Sequence, residues 1–217
     1  MGAFFYLSDY NMPKCLLCNS DSTRFYKEQY YQCTNCKGIF RPIERLPTLE
    51  KEKARYDKHN NDTADEGYRN FVSPITNAIM DNHKIEDMGL DFGAGSGPII
   101  AETLKSKGYE PYLFDPIYHK NYALLENKYD YIYACEVIEH FHKPYDEFSL
   151  LYNLLNNIGK LYCMTHLYNE SIDFDRWYYK NDFTHVFIYT QETIDWIAAE
   201  IGFSDYKIDD RLITFWK

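Results

Sequence analysis

The sequence lacks long hydrophobic runs. No stretch of its 217 residues approaches the ~20 consecutive apolar residues that a membrane-spanning helix needs. The N-terminal stretch 1–14 contains a short apolar piece, but neither a basic start nor a secretory cleavage site. We therefore expect no membrane association and a cytoplasmic location.

Basic residues are also scarce. The chain has 23 Lys and Arg against 33 Asp and Glu, which gives a net charge of −10. Proteins that bind nucleic acids usually carry a basic face that neutralises phosphates. The charge balance therefore argues against a large phosphate footprint and makes nucleic acid a poor candidate partner.

The usual glycine motifs for phosphate binding are missing from the one glycine-rich turn, residues 90–97, LDFGAGSG. A dinucleotide fingerprint G-x-G-x-x-G that starts at Gly93 would need its third glycine where Pro98 stands, and no G-K-[ST] follows. Asp91 precedes the glycines, and a carboxylate repels phosphate but attracts a cation. The turn is glycine-rich without being built for phosphates.

Four of the six cysteines form two CxxC pairs. Cys15 and Cys18 are separated by fourteen residues from Cys33 and Cys36. This spacing is typical of a zinc ribbon, in which four thiolates close a structural site and leave no open position for catalysis. Residues 23–33 alternate like a short strand, and Asn19 and Gly38 follow the two pairs where a positive φ is often needed.

The region around the glycine turn predicts a β-α-β unit. Residues 85–91 indicate a strand, 98–108 a helix, and 109–115 a second strand that ends in Asp115. Open α/β sheets bind ligands at the carboxyl ends of their strands. The length suffices for one α/β domain with a small appendage.

Three features together resemble the class I S-adenosylmethionine-dependent methyltransferases. The D-x-G-x-G-x-G pattern from Asp91 resembles their first motif, and Asp115 stands where their acid accepts both ribose hydroxyls. Residues 129–144, with the sequence EVIEH, resemble the fourth strand and its following segment in the small-molecule branch that includes ubiquinone-biosynthesis O-methyltransferases. The resemblance covers about residues 68–217.

This resemblance implies the fold and the cofactor. We expect an α/β fold with a Rossmann-like, mostly parallel sheet of seven strands or a shortened version of it, beside an N-terminal zinc ribbon. The cofactor would be S-adenosylmethionine, in addition to structural Zn²⁺. The implied cofactor-binding residues are Asp91, Gly93, Ala94, Gly95, Gly97, Asp115, Cys135 and Glu136.

One segment departs from the family pattern. Fifteen residues separate Asp115 from Tyr131, where the family fits a helix and a third strand. We expect a minimal strand at 122–125, and Asn121 or Glu126 as candidates for the adenine contact.

The acceptor side is less defined. A general base helps a hydroxyl acceptor, and the candidates are His140 after the fourth strand, His166 after the fifth strand and His185 within residues 177–189, all expected near the ligand edge. The insert 167–184 is expected to build the acceptor pocket. The candidate substrate contacts are Tyr56, Trp177, Tyr178 and Asp182, together with His185. The alternatives are histidines that only hydrogen-bond, histidines that bind a metal, and an insert packed by its own aromatic residues; His119 and His142 are expected on the surface.

The segment between ribbon and core predicts a helical linker or lid. We divide the chain into a ribbon at 1–45, a linker at 46–82 and a methyltransferase domain at 83–217. The linker residues expected at the ligand mouth are Tyr56, His59, Asn60 and Tyr68. Thr63 and Glu66 resemble a capping box, and Pro74 indicates a helix that begins near Ser73 or kinks there.

Three functions fit this pattern. The favoured one is methyl transfer to a small-molecule acceptor. The alternatives are an RNA base methyltransferase and a non-catalytic zinc-ribbon interaction protein that retains the cofactor pocket.

Overall fold

The computed structural model describes residues 12–58 and 65–217. Within these ranges, no helix combines the length and the apolar character needed to cross a membrane. The predictions for His59, Asn60 and Thr63 lie outside the described residues.

The N-terminal ribbon is a small antiparallel sheet. It contains β1 (Ser22–Tyr26), β2 (Tyr30–Cys33) and β3 (Ile39–Phe40). The single strand predicted at 23–33 is therefore wrong, because the chain reverses at Lys27 and Glu28, which have φ values of 44° and 53°.

The two cysteine turns differ in where the backbone becomes left-handed. Asn19 has the expected positive φ of 56°, but in the second turn Lys37 takes it, at 61°. Gly38 is needed for space instead, since a Cβ there would lie 2.3 Å from Cζ of Phe187. The prediction of a positive φ at Gly38 was therefore wrong. The sequence could not indicate the real constraint, because Phe187 comes from a distant part of the chain.

Between the ribbon and the core, the described residues form the helices α1 (Leu49–Tyr56) and α2 (Glu66–Asn82). Asp65 caps α2 by accepting a hydrogen bond from the Tyr68 amide at 3.1 Å. The helix runs through Pro74 rather than beginning at Ser73. Proline has no N–H to offer the Asn70 carbonyl, and the Ser73 hydroxyl donates to that oxygen at 2.8 Å.

In the described part of the chain, the main sheet has six strands: β4 (Gly89–Phe92), β5 (Tyr112–Phe114), β6 (Tyr129–Cys135), β7 (Leu155–Met164), β9 (Asp205–Asp209) and β10 (Leu212–Trp216). Their order in the sheet is β5-β4-β6-β7-β10-β9. Neighbouring strands from β5 to β7 are parallel, and β10 is antiparallel to both of its neighbours. The helices α3 (Ile99–Lys105), α4 (Pro144–Leu154) and α5 (Gln191–Ile201) connect them. This confirms the Rossmann-like fold in its shortened form.

The strand expected at 122–125 is a 3₁₀ helix, Tyr122–Glu126. A parallel crossover needs a dozen or more residues besides the strand it delivers, and this segment is too short for both. The 3₁₀ helix buries Leu124, whose carbonyl accepts the Tyr129 hydroxyl at 2.8 Å.

The ribbon is continuous with the core. Strand β8 (Phe187–Ile188) pairs with β3, so that it forms the fourth strand of the ribbon sheet. Cys15, Cys33 and Cys36 also belong to the main hydrophobic cluster. The domain boundary at residue 45 stays a prediction, and any movement of the ribbon would have to break this shared sheet.

Candidate active site

The glycine turn after β4 has a left-handed backbone. Gly93 and Gly95 have φ values of 85° and 62°, a region that residues with a Cβ rarely adopt. The amides of Gly93 and Ala94 both donate to the Phe114 carbonyl, at 2.8 and 3.2 Å. A Cβ on Gly93 would lie 2.6 Å from Val137, whereas one on Gly95 would meet nothing within 4 Å.

Asp115 stands beside this turn at the end of β5. One carboxylate oxygen accepts the Gly95 amide at 3.1 Å, and the other accepts the amides of Ile117 and Tyr118 at 2.7 and 2.9 Å. The side chain is therefore fixed by three backbone donors, and the oxygen that accepts only the Gly95 amide retains capacity for another donor.

Asp91, in β4, is buried and is not part of the cavity lining described below. It is 5% exposed, and burial raises its pKa to about 8. Desolvation therefore disfavours the charged form of this carboxyl group, and its role in cofactor binding stays a prediction.

One cavity of about 990 Å³ opens at the carboxyl ends of β4, β5 and β6. Most of the predicted site residues line it: Tyr56, Tyr68, Gly93, Ala94, Gly95, Gly97, Asp115, Cys135, Glu136, His140 and His185. Its volume is at the upper end of the range for small-ligand sites. The functional roles predicted for these residues stay predictions.

The predicted adenine contacts are not part of this wall. Ile117, Tyr118, Tyr122 and Leu125 line the cavity near β5, but Asn121 and Glu126 do not. The apolar and aromatic side chains offer a surface on which a planar ring can stack.

Two histidines enter the cavity with fixed ring orientations. The Nδ1 of His140 lies 2.8 Å from the Thr184 carbonyl, and the Nδ1 of His185 lies 2.8 Å from the Tyr179 carbonyl. A carbonyl only accepts, so each Nδ1 carries the hydrogen, and each Nε2 offers a lone pair when the ring is neutral. Burial lowers the pKa of His185 and keeps that ring neutral at pH 7.

A buried carboxylate that we did not select from the sequence organises this region. Glu139 is fully buried; its oxygens accept the hydroxyls of Tyr179 at 2.7 Å and Thr165 at 3.1 Å. Glu139, His140 and His185 bring potential metal-ligand atoms within 4.8 Å of one another. The sequence EVIEH contained Glu139, but its partners Thr165 and Tyr179 are distant in the chain and gave no local pattern.

Glu136 is strained and incompletely bonded. It has a φ of 52°, and its Oε1 is buried with no hydrogen-bond partner in the part of the chain that the structure describes. Burial, followed by the nearby charge of Glu139, raises the pKa of Glu136 to about 9. Backbone strain and unsatisfied polar atoms tend to mark functional positions.

His166, Trp177, Tyr178 and Asp182 are not part of the cavity lining. His166 contacts the Tyr178 hydroxyl through Nε2 at 3.1 Å, and Trp177 packs on Tyr179 with 5.0 Å between ring centroids. Asp182 forms an ion pair with Arg55 at 2.7 Å. The predictions of substrate contact by Trp177, Tyr178 and Asp182 and of catalysis by His166 stay untested.

Helix α1 lies across one side of the cavity, where Tyr56 contributes to the lining. Glu52 contacts Nε2 of His142 at 2.9 Å, and Asp57 accepts the Tyr118 hydroxyl at 2.7 Å. His142 therefore lines the site and is half-buried, contrary to its expected surface position. His119 is also half-buried, and its Nε2 has no partner among the described residues.

The four ribbon cysteines converge on one point. The Sγ atoms of Cys15 and Cys36 are 3.6 Å apart, those of Cys18 and Cys33 are 3.3 Å apart, and all four lie within 4.8 Å of one another. Tetrahedral zinc with Zn–S bonds of about 2.3 Å requires sulfur separations of about 3.8 Å. The donor set and its spacing fit a structural zinc ion.

Comparisons with known proteins agree with this geometry. The profile of a family described as a methyltransferase domain matches residues 35–208. No curated protein sequence matches the chain.

Several solved structures have a similar fold. A S-adenosylmethionine-dependent methyltransferase from Archaeoglobus fulgidus has a TM-score of 0.54 at 17% identity, with 69% of this chain and 94% of that chain covered. The 1,6-didemethyltoxoflavin-N1-methyltransferase of Burkholderia thailandensis, with its substrate and S-adenosylhomocysteine bound, has a TM-score of 0.53 at 14% identity and coverages of 85% and 97%. An O-methyltransferase family protein from Burkholderia thailandensis has a TM-score of 0.53 at 11% identity and coverages of 79% and 64%. The chain thus spans less than two thirds of the length of some relatives.

Proposed function

We propose, from the premise that the chain belongs to the methyltransferase domain family, that it transfers a methyl group from S-adenosylmethionine to a small-molecule acceptor. The observation that carries this proposal is the single cavity that joins the Gly93–Gly97 turn and Asp115 to His140 and His185. Residues suited to holding the cofactor and residues suited to accepting a proton face the same space.

The turn and Asp115 would hold the cofactor. The bare backbone at Gly95 permits close approach, and the Asp115 oxygen that accepts only the Gly95 amide would also accept a ribose hydroxyl. Aromatic and apolar side chains near β5 would cover the adenine ring. The solved structure of the similar 1,6-didemethyltoxoflavin-N1-methyltransferase contains S-adenosylhomocysteine, which supports this choice of ligand.

S-adenosylmethionine supplies a methyl group that is already activated on a sulfonium, so the protein mainly aligns the acceptor and removes its proton. His140 is our candidate for that base. Its Nδ1–H is fixed on the Thr184 carbonyl, and its ring is edge-on to His185 with 5.0 Å between centroids. The hydrogen bond prevents ring rotation and leaves Nε2 to receive the proton.

A small acceptor suits the cavity better than RNA does. The wall contains the carboxyl groups of Glu52, Asp115, Glu136 and Glu147, and the one Lys or Arg side chain in the described lining is Lys58. A phosphate backbone would gain little from such a surface. The volume leaves room for a cofactor together with a compact acceptor.

The ribbon would bind one structural Zn²⁺ through Cys15, Cys18, Cys33 and Cys36. Four thiolates complete a tetrahedral site, so the ion would stabilise the fold rather than react. Free thiols persist in reducing compartments, which supports a cytoplasmic location.

The proposal is tested with methyl-labelled S-adenosylmethionine and a fractionated extract of small molecules. We expect a labelled small-molecule product from the wild-type protein and loss of that product in His140→Gln, while S-adenosylhomocysteine still binds in calorimetry. His166→Gln is the matched comparison, since that residue lies outside the cavity lining, and should retain the product. Label that appears in RNA but not in the small-molecule fraction would contradict the proposal.

A further inference from the structure

The ribbon contacts the segment that carries His185 through main-chain and side-chain hydrogen bonds. Strand β3 pairs with β8, directly after His185 in the chain. The Arg41 amide then extends this pairing by donating to the Val186 carbonyl at 2.8 Å. The residues flanking β8 are therefore attached to the ribbon.

Arg41 adds two contacts with its guanidinium group. Its Nε donates to the His185 carbonyl at 3.2 Å, and its Nη2 donates to the Lys180 carbonyl at 3.3 Å. Guanidinium is a planar fork whose donors can bridge two acceptors at fixed spacing. Arg41 thus ties together the two ends of the loop that runs from Lys180 to His185.

Tyr30 contacts the same loop through its hydroxyl group. It is fully buried, and its hydroxyl lies 3.0 Å from the Lys180 carbonyl and 3.4 Å from the His185 carbonyl. The single hydrogen goes to the nearer oxygen. The Arg41 guanidinium stacks on the Tyr30 ring at 4.6 Å, so each residue fixes the other.

The opposite side of the loop contacts the segment that carries Glu139 and His140. The Val186 amide donates to the Glu139 carbonyl at 2.9 Å, next to His140. His185 packs on the Tyr179 ring with 4.1 Å between centroids. The loop is therefore fixed between the ribbon and the 3₁₀ turn Ile138–His140.

We propose that Arg41 and Tyr30 of the ribbon are positioning residues for methyl transfer, because they fix the loop that places His185 in the cavity and supplies the Thr184 carbonyl to His140. This inference rests on the proposed function for its catalytic meaning. Neither residue lines the cavity in the described structure, so both act through the loop. The ribbon is thereby part of the active-site scaffold.

Fixation of the loop also keeps His185 buried. Burial lowers the pKa of His185, the charges of Glu139 and Asp182 oppose that effect, and the charge of His140 adds to it. If the loop is loosened, water reaches the ring, and the pKa rises toward its ordinary value.

The experiment compares Arg41→Gln, Arg41→Lys and Tyr30→Phe with the wild type. Arg24→Gln is the matched control, since Arg24 is in the same ribbon but pairs with Glu28 on the surface at 3.0 Å. Amide hydrogen exchange is followed in peptides that span 180–188, and the histidine Cε1–H signals are titrated by NMR. Calorimetry with S-adenosylhomocysteine reports separately on the cofactor site.

In Arg41→Gln, exchange in 180–188 should rise by at least about tenfold, because a hydrogen bond from a charged group is worth roughly one such factor or more. The pKa of His185 should rise, while S-adenosylhomocysteine affinity stays within about twofold, well under the tenfold that 1.4 kcal/mol would give. Arg41→Lys should recover part of the protection. Where an acceptor gives measurable turnover, kcat should fall and its pH profile should shift.

Unchanged exchange and an unchanged His185 titration in both Arg41→Gln and Tyr30→Phe would overturn the inference. So would a rise in exchange spread over the whole chain, since that reports general destabilisation. If Arg41→Gln does not fold, Tyr30→Phe decides, because it retains the buried ring. If the wild type does not bind S-adenosylhomocysteine, that result counts against the proposed function. The exchange measurement still tests separately whether Arg41 and Tyr30 fix the loop.

Discussion

Two glycines of the same turn should respond differently to alanine. Gly93 and Gly95 both have positive φ, at 85° and 62°. Alanine at either position incurs the cost of a left-handed backbone, about 1–2 kcal/mol. At Gly93 the new methyl group would also lie 2.6 Å from Cγ2 and 2.8 Å from Cγ1 of Val137, and overpacking adds about 1–3 kcal/mol.

Gly93→Ala should therefore lower the free energy of unfolding by about 2–5 kcal/mol, and Gly95→Ala by about 1–2 kcal/mol. Urea denaturation of the ligand-free proteins measures both. Val137→Ala in the Gly93→Ala background removes the overlapping methyl groups and should recover part of the loss, after allowance for the cost of Val137→Ala alone.

In cofactor binding, we expect the larger loss of affinity in Gly95→Ala, whereas the larger loss of stability is expected in Gly93→Ala. A methyl group on Gly95 meets no protein atom within 4 Å and would occupy cavity space. We expect Gly95→Ala to weaken S-adenosylhomocysteine binding by at least about tenfold, or 1.4 kcal/mol, although it is the more stable variant. Equal stability losses in the two variants would refute the packing argument, and wild-type affinity in Gly95→Ala would refute the placement of the cofactor at this turn.

Three further outcomes are expected. Cys36→Ala should abolish zinc binding and lower the melting temperature, whereas Cys163→Ala, a buried cysteine of β7, should retain one zinc per chain by elemental analysis. Burial raises the pKa of Glu136 from 4.5 to about 9. Its contribution to the free energy of unfolding is therefore present below pH 4.5 and is lost as the pH rises toward 9. Glu136→Gln should flatten that decline in urea denaturation, and an unchanged slope of stability against pH would refute this prediction. Asp115→Ala should weaken S-adenosylhomocysteine binding by at least about tenfold, and undiminished heat in calorimetry would exclude a ribose contact there.

Local patterns in the sequence were sufficient to predict the glycine turn and the strand ends at one edge of the sheet. The Asp91-to-Gly97 pattern, the strand ending in Asp115 and the strand ending in Cys135 are all contiguous, and parallel pairing brings their ends to one edge. The start of helix α2 was harder to predict, because a proline within a helical pattern can begin the helix, kink it or lie within it. Here Pro74 lies within the helix, and the Ser73 hydroxyl donates to the Asn70 carbonyl that Pro74 leaves without an amide donor.

Long-range contacts account for what the sequence did not reveal. Gly38 is small because of Phe187, and Glu139 is satisfied by Thr165 and Tyr179. Neither relation produces a periodicity or a fixed spacing. The attachment of the ribbon to the His185 loop likewise depends on the pairing of β3 with β8, two-residue strands that are too short to predict from composition.

The most direct measurement is a calorimetric titration of the zinc-loaded protein with S-adenosylmethionine, with NAD and with Asp115→Ala as controls. We expect saturable binding of one cofactor per chain, a much weaker response in the variant, and no response to NAD. The absence of binding to the folded wild-type protein, or equal binding of NAD, would contradict the assignment of the cavity to S-adenosylmethionine.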